Sequence, residues 1–273
     1  MSDRPVAFIT GASRGIGRAC ALRLAAEGWD IVIAAKSTEE DPRLPGTIFT
    51  VAAEVEALGA AALPVKCNVR EETEIQAAAD ACLNRFGRID AVINNAGAMW
   101  WRNMDETPLK RFDLMMDVNV RAAYAVTSAF LPAMKEQRRG HVIMMSPPID
   151  LEILPGHIAY GISKFGMTMI ALGMVEEFRE YNIRATALWP KTIIESYASI
   201  NFGLGDPRLW RKADILADAV WEILQHPDRS NGRALIDEDF LREVGYTDFD
   251  RYLCVPDGKP LVLDSQAMRV ART

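Results

Sequence analysis

The chain has few of the residues that mark several common functional classes. Among 273 residues there are 3 histidines and 4 cysteines. Cys20, Cys67, Cys82 and Cys254 are scattered, with no CxxC pair and no histidine at ligand spacing, which excludes a disulfide frame and a zinc site from the reading. No metal is expected. Excess basic charge is also missing. Lys plus Arg is 31 against 37 Asp plus Glu, for a net charge of −6. With no basic stripe, neither nucleic acid nor an anionic membrane is an expected partner. No apolar run reaches bilayer-spanning length in the sequence. The opening MSDRPVAFIT passes directly into a strand-like segment, leaving no room for a leader. A cytoplasmic protein is the expectation.

What the sequence does contain is alternation. Short apolar runs, VAFIT (6–10), DIVIAA (30–35), ALPVKCNV (62–69), DAVINN (90–95), HVIMMS (141–146), IRATALWP (183–190) and RALID (233–237), are separated by helix-patterned stretches. The runs are rich in β-branched residues and do not alternate polar with apolar, as strands covered on both faces require. Strand–helix alternation predicts an α/β, doubly wound Rossmann-type parallel sheet of about seven strands with helices on both faces. One domain over 1–273 is expected, with 237–273 as a tail that packs on the domain or on a neighbouring subunit.

Chemistry concentrates in three places. Directly after the first apolar run comes Thr10-Gly11-Ala12-Ser13-Arg14-Gly15-Ile16-Gly17. Its glycines permit a tight turn and close approach of backbone to a pyrophosphate, and the following helix offers free N–H groups to the anion. Second, Asn94-Asn95-Ala96-Gly97 follows the fourth run. Third, Ser146 lies ahead of Tyr160-Gly161-Ile162-Ser163-Lys164. Tyr160 and Lys164 are one helical turn apart and share a face.

Together with Asn119 in Asp117-Val118-Asn119-Val120, these motifs resemble the short-chain dehydrogenase/reductase family. They fall in that family's order, and the match covers roughly residues 5 to 237. The resemblance implies an NAD(P)-dependent enzyme that interconverts a carbonyl and an alcohol by hydride transfer. Tyr160 would be the acid/base, and Lys164 an electrostatic partner and ribose anchor. Ser146 would bind the substrate oxygen, and Asn119 would serve a proton relay. Cofactor contacts would come from Thr10, Gly11, Ser13, Arg14, Gly15, Ile16 and Gly17, from Asn95, Ala96 and Gly97, and from Tyr160 and Lys164. Pro190 and Thr192 would flank the nicotinamide, and Asn68-Val69 would meet the adenine.

The second strand ends Ala34-Ala35-Lys36-Ser37, with no acid until Glu39. An acid there would hold the NAD ribose; Lys36 and Arg14 instead offer cations to a 2′-phosphate, so NADP(H) is expected. Further segments, IVIAAK, PGTIFT, SPP and LWPKT, resemble the hydroxysteroid dehydrogenase-like branch of the family. Lys191 in LWPKT places bulk and charge beside the expected nicotinamide site. Pro147-Pro148 stiffens the loop after Ser146.

Met99, Trp100, Trp101, Met115 and Met116 are candidates for an apolar small-molecule pocket or for core. Trp210 and Trp221 are expected in a lid hinged at Phe202-Gly203-Leu204-Gly205. The helix FGMTMIALGMVEEF (165–178) is apolar on more than one face and points to a homodimer or homotetramer. An NADP-binding sensor without turnover is the competing reading.

Overall fold

The computed structural model describes residues 3–263 except 202 and 204. Its core is a seven-stranded, wholly parallel sheet in the order β3-β2-β1-β4-β5-β6-β9. The strands are β1 (Val6–Thr10), β2 (Asp30–Ala35), β3 (Ala62–Lys66), β4 (Ala91–Asn94), β5 (Gly140–Met145), β6 (Ile183–Trp189) and β9 (Ala234–Ile236). Every residue of β1, β2, β4 and β5 is buried, which is why those runs are continuous rather than alternating.

The helices are α1 (Gly15–Ala26), α2 (Ile48–Ala57), α3 (Glu72–Phe86), α4 (Leu109–Met115), α5 (Ala122–Gln137), α6 (Ile158–Glu177), α7 (Tyr197–Asn201), α8 (Asp214–Gln225), α9 (Pro227–Ser230) and α10 (Asp237–Glu243). One apolar layer joins α1, α2 and α8 to the sheet, and another joins α3, α5 and α6 to its opposite face. The doubly wound α/β architecture is therefore as expected from the alternation.

Strand order reverses between β1 and β4. Ligand crevices in open α/β sheets form at such a switch point, beyond the carboxyl ends of the strands. Both Gly-bearing motifs lie there.

Several elements depart from the sequence expectation. Residues 237–243, read as aperiodic tail, form α10. Two short strands, β7 (Ile193–Ile194) and β8 (Trp210–Arg211), pair beside the main sheet. A π-helical stretch, Met116–Arg121, joins α4 to α5. Helix α6 has the length and apolar composition to cross a membrane, contrary to the expectation that no segment reaches it. More than half of its apolar window is buried inside the fold, as in a core helix.

Trp210 is buried in β8, and Trp221 lies under the Arg23 guanidinium on α8, packed against the core. Both are packed into the body of the fold. Of the expected hinge, Phe202 and Leu204 lie outside the described residues, whereas Gly203 and Gly205 both line the cleft described below.

Candidate active site

A cleft of about 1400 Å³ runs from the β1–α1 turn to the loops after β5 and β6. Its floor at one end is the turn itself. Gly11 and Gly15 adopt φ of +65° and +55°, a left-handed conformation costly to any residue with a Cβ. Ser13, Arg14 and Ile16 also line this end, with Lys36, Asn68 and Val69 beside them. Asn95, Ala96 and Gly97 continue the wall toward Tyr160 and Lys164, and Pro190 and Thr192 close the opposite side.

Four expected contact residues stand behind this wall. Thr10 Oγ1 accepts the N–H groups of Asn95 and Ala96, each at 3.0 Å. It thereby ties the end of β1 to the NNAG turn. Gly17 packs so tightly that a Cβ would sit 2.5 Å from the Gly11 carbonyl. Its lack of side chain lets α1 close on the turn rather than contacting a ligand. Asn119 is fully buried in the π-helical stretch. It accepts the Ala98 N–H at 2.7 Å and donates to the Ala98 carbonyl at 2.9 Å and to Ser163 Oγ at 2.8 Å. It fastens the NNAG loop to α6 through Ser163. Such stretches are frequent at functional sites.

Ser146 is the fourth. It is completely buried, absent from the cleft wall, and its place there is taken by Pro147. Thr168 Oγ1 lies 2.9 Å from Ser146 Oγ and 2.6 Å from the Pro147 carbonyl. Thr168 Oγ1 is the donor in both contacts and shares its one proton between Ser146 Oγ and the Pro147 carbonyl. The structure places Ser146 in the loop's scaffold, buried next to Pro147 on the cleft wall.

Tyr160 and Lys164 do meet the cleft. The helix α6 begins at Ile158, so both lie in its first two turns, on the face toward β5. Lys164 Nζ donates to the Met145 carbonyl at 2.8 Å and lies 6.0 Å and 5.6 Å from the ring centres of Tyr160 and Trp189. Burial of the ammonium pulls its pKa down to about 8. Burial likewise pushes the Tyr160 phenol well above its ordinary value, opposite to the lowering expected from a neighbouring cation. Met115 packs beneath Tyr160, with Met99, Trp101 and Trp189 beside it. His157 stacks on Trp101 with ring centres 4.1 Å apart, and both line the cleft. Trp100 packs against the same cluster and lies under Arg111.

Two cations behave differently from expectation. Arg14 lines the cleft, but its guanidinium bonds the carbonyls of Leu44, Pro45 and Gly46 and Ser37 Oγ, at 2.8 to 3.2 Å. It clamps the 37–47 loop to the phosphate turn, leaving exposed Lys36 as the less committed cation. Lys191 turns away from the cleft. Its Nζ lies 2.7 Å from Asp239 and 3.4 Å from Glu238, so the expected bulk beside the nicotinamide site is absent.

Sequence reasoning missed Thr168, Asp237 and the tail residues Leu261 and Leu263, which also line the cleft. The i+8 relation of Thr168 to Tyr160 on one helix was the only signal available for any of them. Among the described residues no group of three or more His, Cys, Asp and Glu could hold a metal ion.

This arrangement, a phosphate-type turn at a parallel-sheet switch point with a buried Tyr–Lys pair, defines a dinucleotide-type cleft. The chain belongs to the short chain dehydrogenase family, whose model matches residues 5–198. It is similar to hydroxysteroid dehydrogenase-like protein 2 of mouse and human, 46% identical over 260 residues in each. That alignment covers 94% of this chain but 53% and 62% of the relatives, so the chain spans between half and two thirds of their length. Among solved structures, a putative dehydrogenase from Xanthomonas campestris is 40% identical with a TM-score of 0.90, covering 95% of this chain and 96% of that one. A metagenomic short-chain oxidoreductase solved with NADP is 29% identical, with a TM-score of 0.71 over 85% of this chain and 96% of its own.

Proposed function

We propose that the chain is an NADP-dependent oxidoreductase that interconverts a carbonyl and an alcohol on an apolar small molecule. The observation that carries this reading is the Tyr160–Lys164 pair in the wall of a cleft that begins at the Gly11–Gly15 turn.

The residues fit a nicotinamide dinucleotide. The left-handed glycines bring backbone within reach of a pyrophosphate. Thr192 Oγ1 is buried at the other end without a hydrogen-bond partner, as a group awaiting a carboxamide would be. Lys36 favours NADP over NAD through its charge at the adenosine-ribose end; the NADP-bound relative is consistent with that choice but does not decide it. The cofactor, when bound, supplies or accepts the hydride.

The chain's own part is proton handling and shape. Tyr160, held neutral by burial, donates its proton to the oxygen of a carbonyl undergoing reduction. The Lys164 ammonium, fixed by the Met145 carbonyl, stabilises the phenolate left behind and opposes the effect of burial. Met99, Trp101, Trp189 and Leu261 make the substrate end apolar, which excludes water and favours a hydrophobic substrate.

NADPH oxidation, with NADH in parallel, against ketones and aldehydes of graded size tests this reading. Tyr160→Phe should lower turnover by about 10²- to 10⁴-fold while leaving NADPH affinity within about twofold. Equal turnover in the variant would remove Tyr160 from the chemistry. NADPH binding without turnover by the parent on any carbonyl would favour a sensor.

We assign the chain to a single domain and to the cytoplasm. A homodimer or homotetramer is favoured by the exposed Tyr124 on α5 and by Ile162, Met169 and Leu172 on α6, apolar groups that a second copy could cover.

A further inference from the structure

The loop that follows β6 is held from both sides by the far end of the chain. On one side is α10. Asp237, fully buried, accepts the Lys191 N–H on Oδ1 at 2.8 Å and the Glu238 N–H at 2.7 Å. Lys191 Nζ reaches Asp239 and Glu238 on the same helix. On the other side is the tail. Leu263 N–H donates to the Lys191 carbonyl at 2.8 Å, Ile193 N–H reaches the Leu261 carbonyl at 3.4 Å, and Thr192 pairs antiparallel with Val262. The tail is itself anchored: Lys259 N–H donates to the Arg208 carbonyl and Leu261 N–H to the Leu209 carbonyl.

Backbone groups in a loop away from water need such partners, and a carboxylate taking two N–H groups is a strong one. Asp237 and the 259–263 tail lie beyond residue 198, where the family model's match ends. Between the two arms sits Thr192, its Oγ1 buried, unpartnered and on the cleft wall.

We propose that Asp237 and the 259–263 tail are positioning elements for the nicotinamide end of the site, fixing Thr192 where it meets the cofactor. The proposal rests on the dinucleotide reading above. Neither element touches the ligand's phosphate end, which is built from the β1–α1 turn and β2. The clamp therefore acts on one half of the dinucleotide only.

That asymmetry is the test. NADPH is compared by titration calorimetry with 2′,5′-ADP, which carries the phosphorylated ribose but no nicotinamide, on the full chain. Asp237→Ala should weaken NADPH about tenfold, the scale of one hydrogen bond, and leave 2′,5′-ADP within twofold. Asp237→Asn keeps an oxygen for both N–H groups and should bind NADPH within threefold of the parent. Leu263→Pro removes the donor on the opposite arm and should reproduce the Asp237→Ala pattern; it also serves if Asp237→Ala does not fold.

Unchanged NADPH affinity in both variants overturns the proposal, as does an equal loss for both ligands. A parent that binds NADH but not 2′,5′-ADP removes the NADP assignment and leaves the clamp testable with ADP-ribose in its place. A parent that binds no dinucleotide overturns the reading of the cleft, and the clamp with it.

Discussion

Ser146 and Thr168 share a buried hydroxyl pair, 2.9 Å apart, that faces α6 and not the cleft. Thr168 is the donor to Ser146, and the same hydroxyl reaches the Pro147 carbonyl, so the loop after β5 is tied to α6 at two successive residues. Pro147 and Tyr160 line the cleft, whereas Ser146 and Thr168 are buried behind its wall.

Ser146→Ala is therefore expected to reduce turnover by less than about threefold and to cost about 1 kcal/mol of stability, since Thr168 keeps its bond to Pro147. Thermal unfolding and NADPH turnover measured together check this. A loss of 10² or more in kcat with an unchanged melting curve would return Ser146 to the chemistry.

Burial of Lys164 has a signature in stability against pH. Its folded pKa of about 8 lies below the ordinary value of 10.5. The folded chain thus disfavours the ammonium, and the penalty is absent above the unfolded value and complete once pH falls through 8. The parent should gain stability relative to Lys164→Met between pH 8 and 10.5, by up to about 3 kcal/mol. Parallel denaturant titrations of the two proteins across that window measure it. A flat difference would place the lysine in a wetter environment.

Lys36 and Arg14 should separate in their effects. Lys36→Ala is expected to weaken NADPH about tenfold and leave NADH unchanged, because it removes charge beside the adenosine ribose. Arg14→Ala removes four anchors of the 37–47 loop and should lower the melting temperature as well as binding of both cofactors. Calorimetric affinities for the two cofactors distinguish them; an Arg14→Ala loss confined to NADPH would make that side chain a phosphate ligand instead.

Much of the molecule was legible in the chain itself. Continuous β-branched runs spaced by helical periods determined a parallel sheet, because only strands buried on both faces tolerate such runs. The glycines at 11, 15 and 17 announced a tight turn, and the four-residue spacing of Tyr160 and Lys164 placed both on one helix face whatever they pack against.

The tertiary structure decided which side chains reach the cleft. Thr10, Gly17, Asn119 and Ser146 share their motifs with residues on the wall, yet the strand–loop pleat and the helix approach turn them inward, a direction that spacing along the chain does not carry. Lys191 was judged by its neighbours in sequence, but Asp239, 48 residues on, draws it away. The contacts around Thr192 join 191–193 to 261–263 through main-chain bonds and to 237 through a side-chain carboxylate. On the 261–263 arm these bonds use backbone atoms common to every residue, which no pattern of side chains announces; on the other arm the acceptor is the Asp237 carboxylate, 46 residues from Lys191.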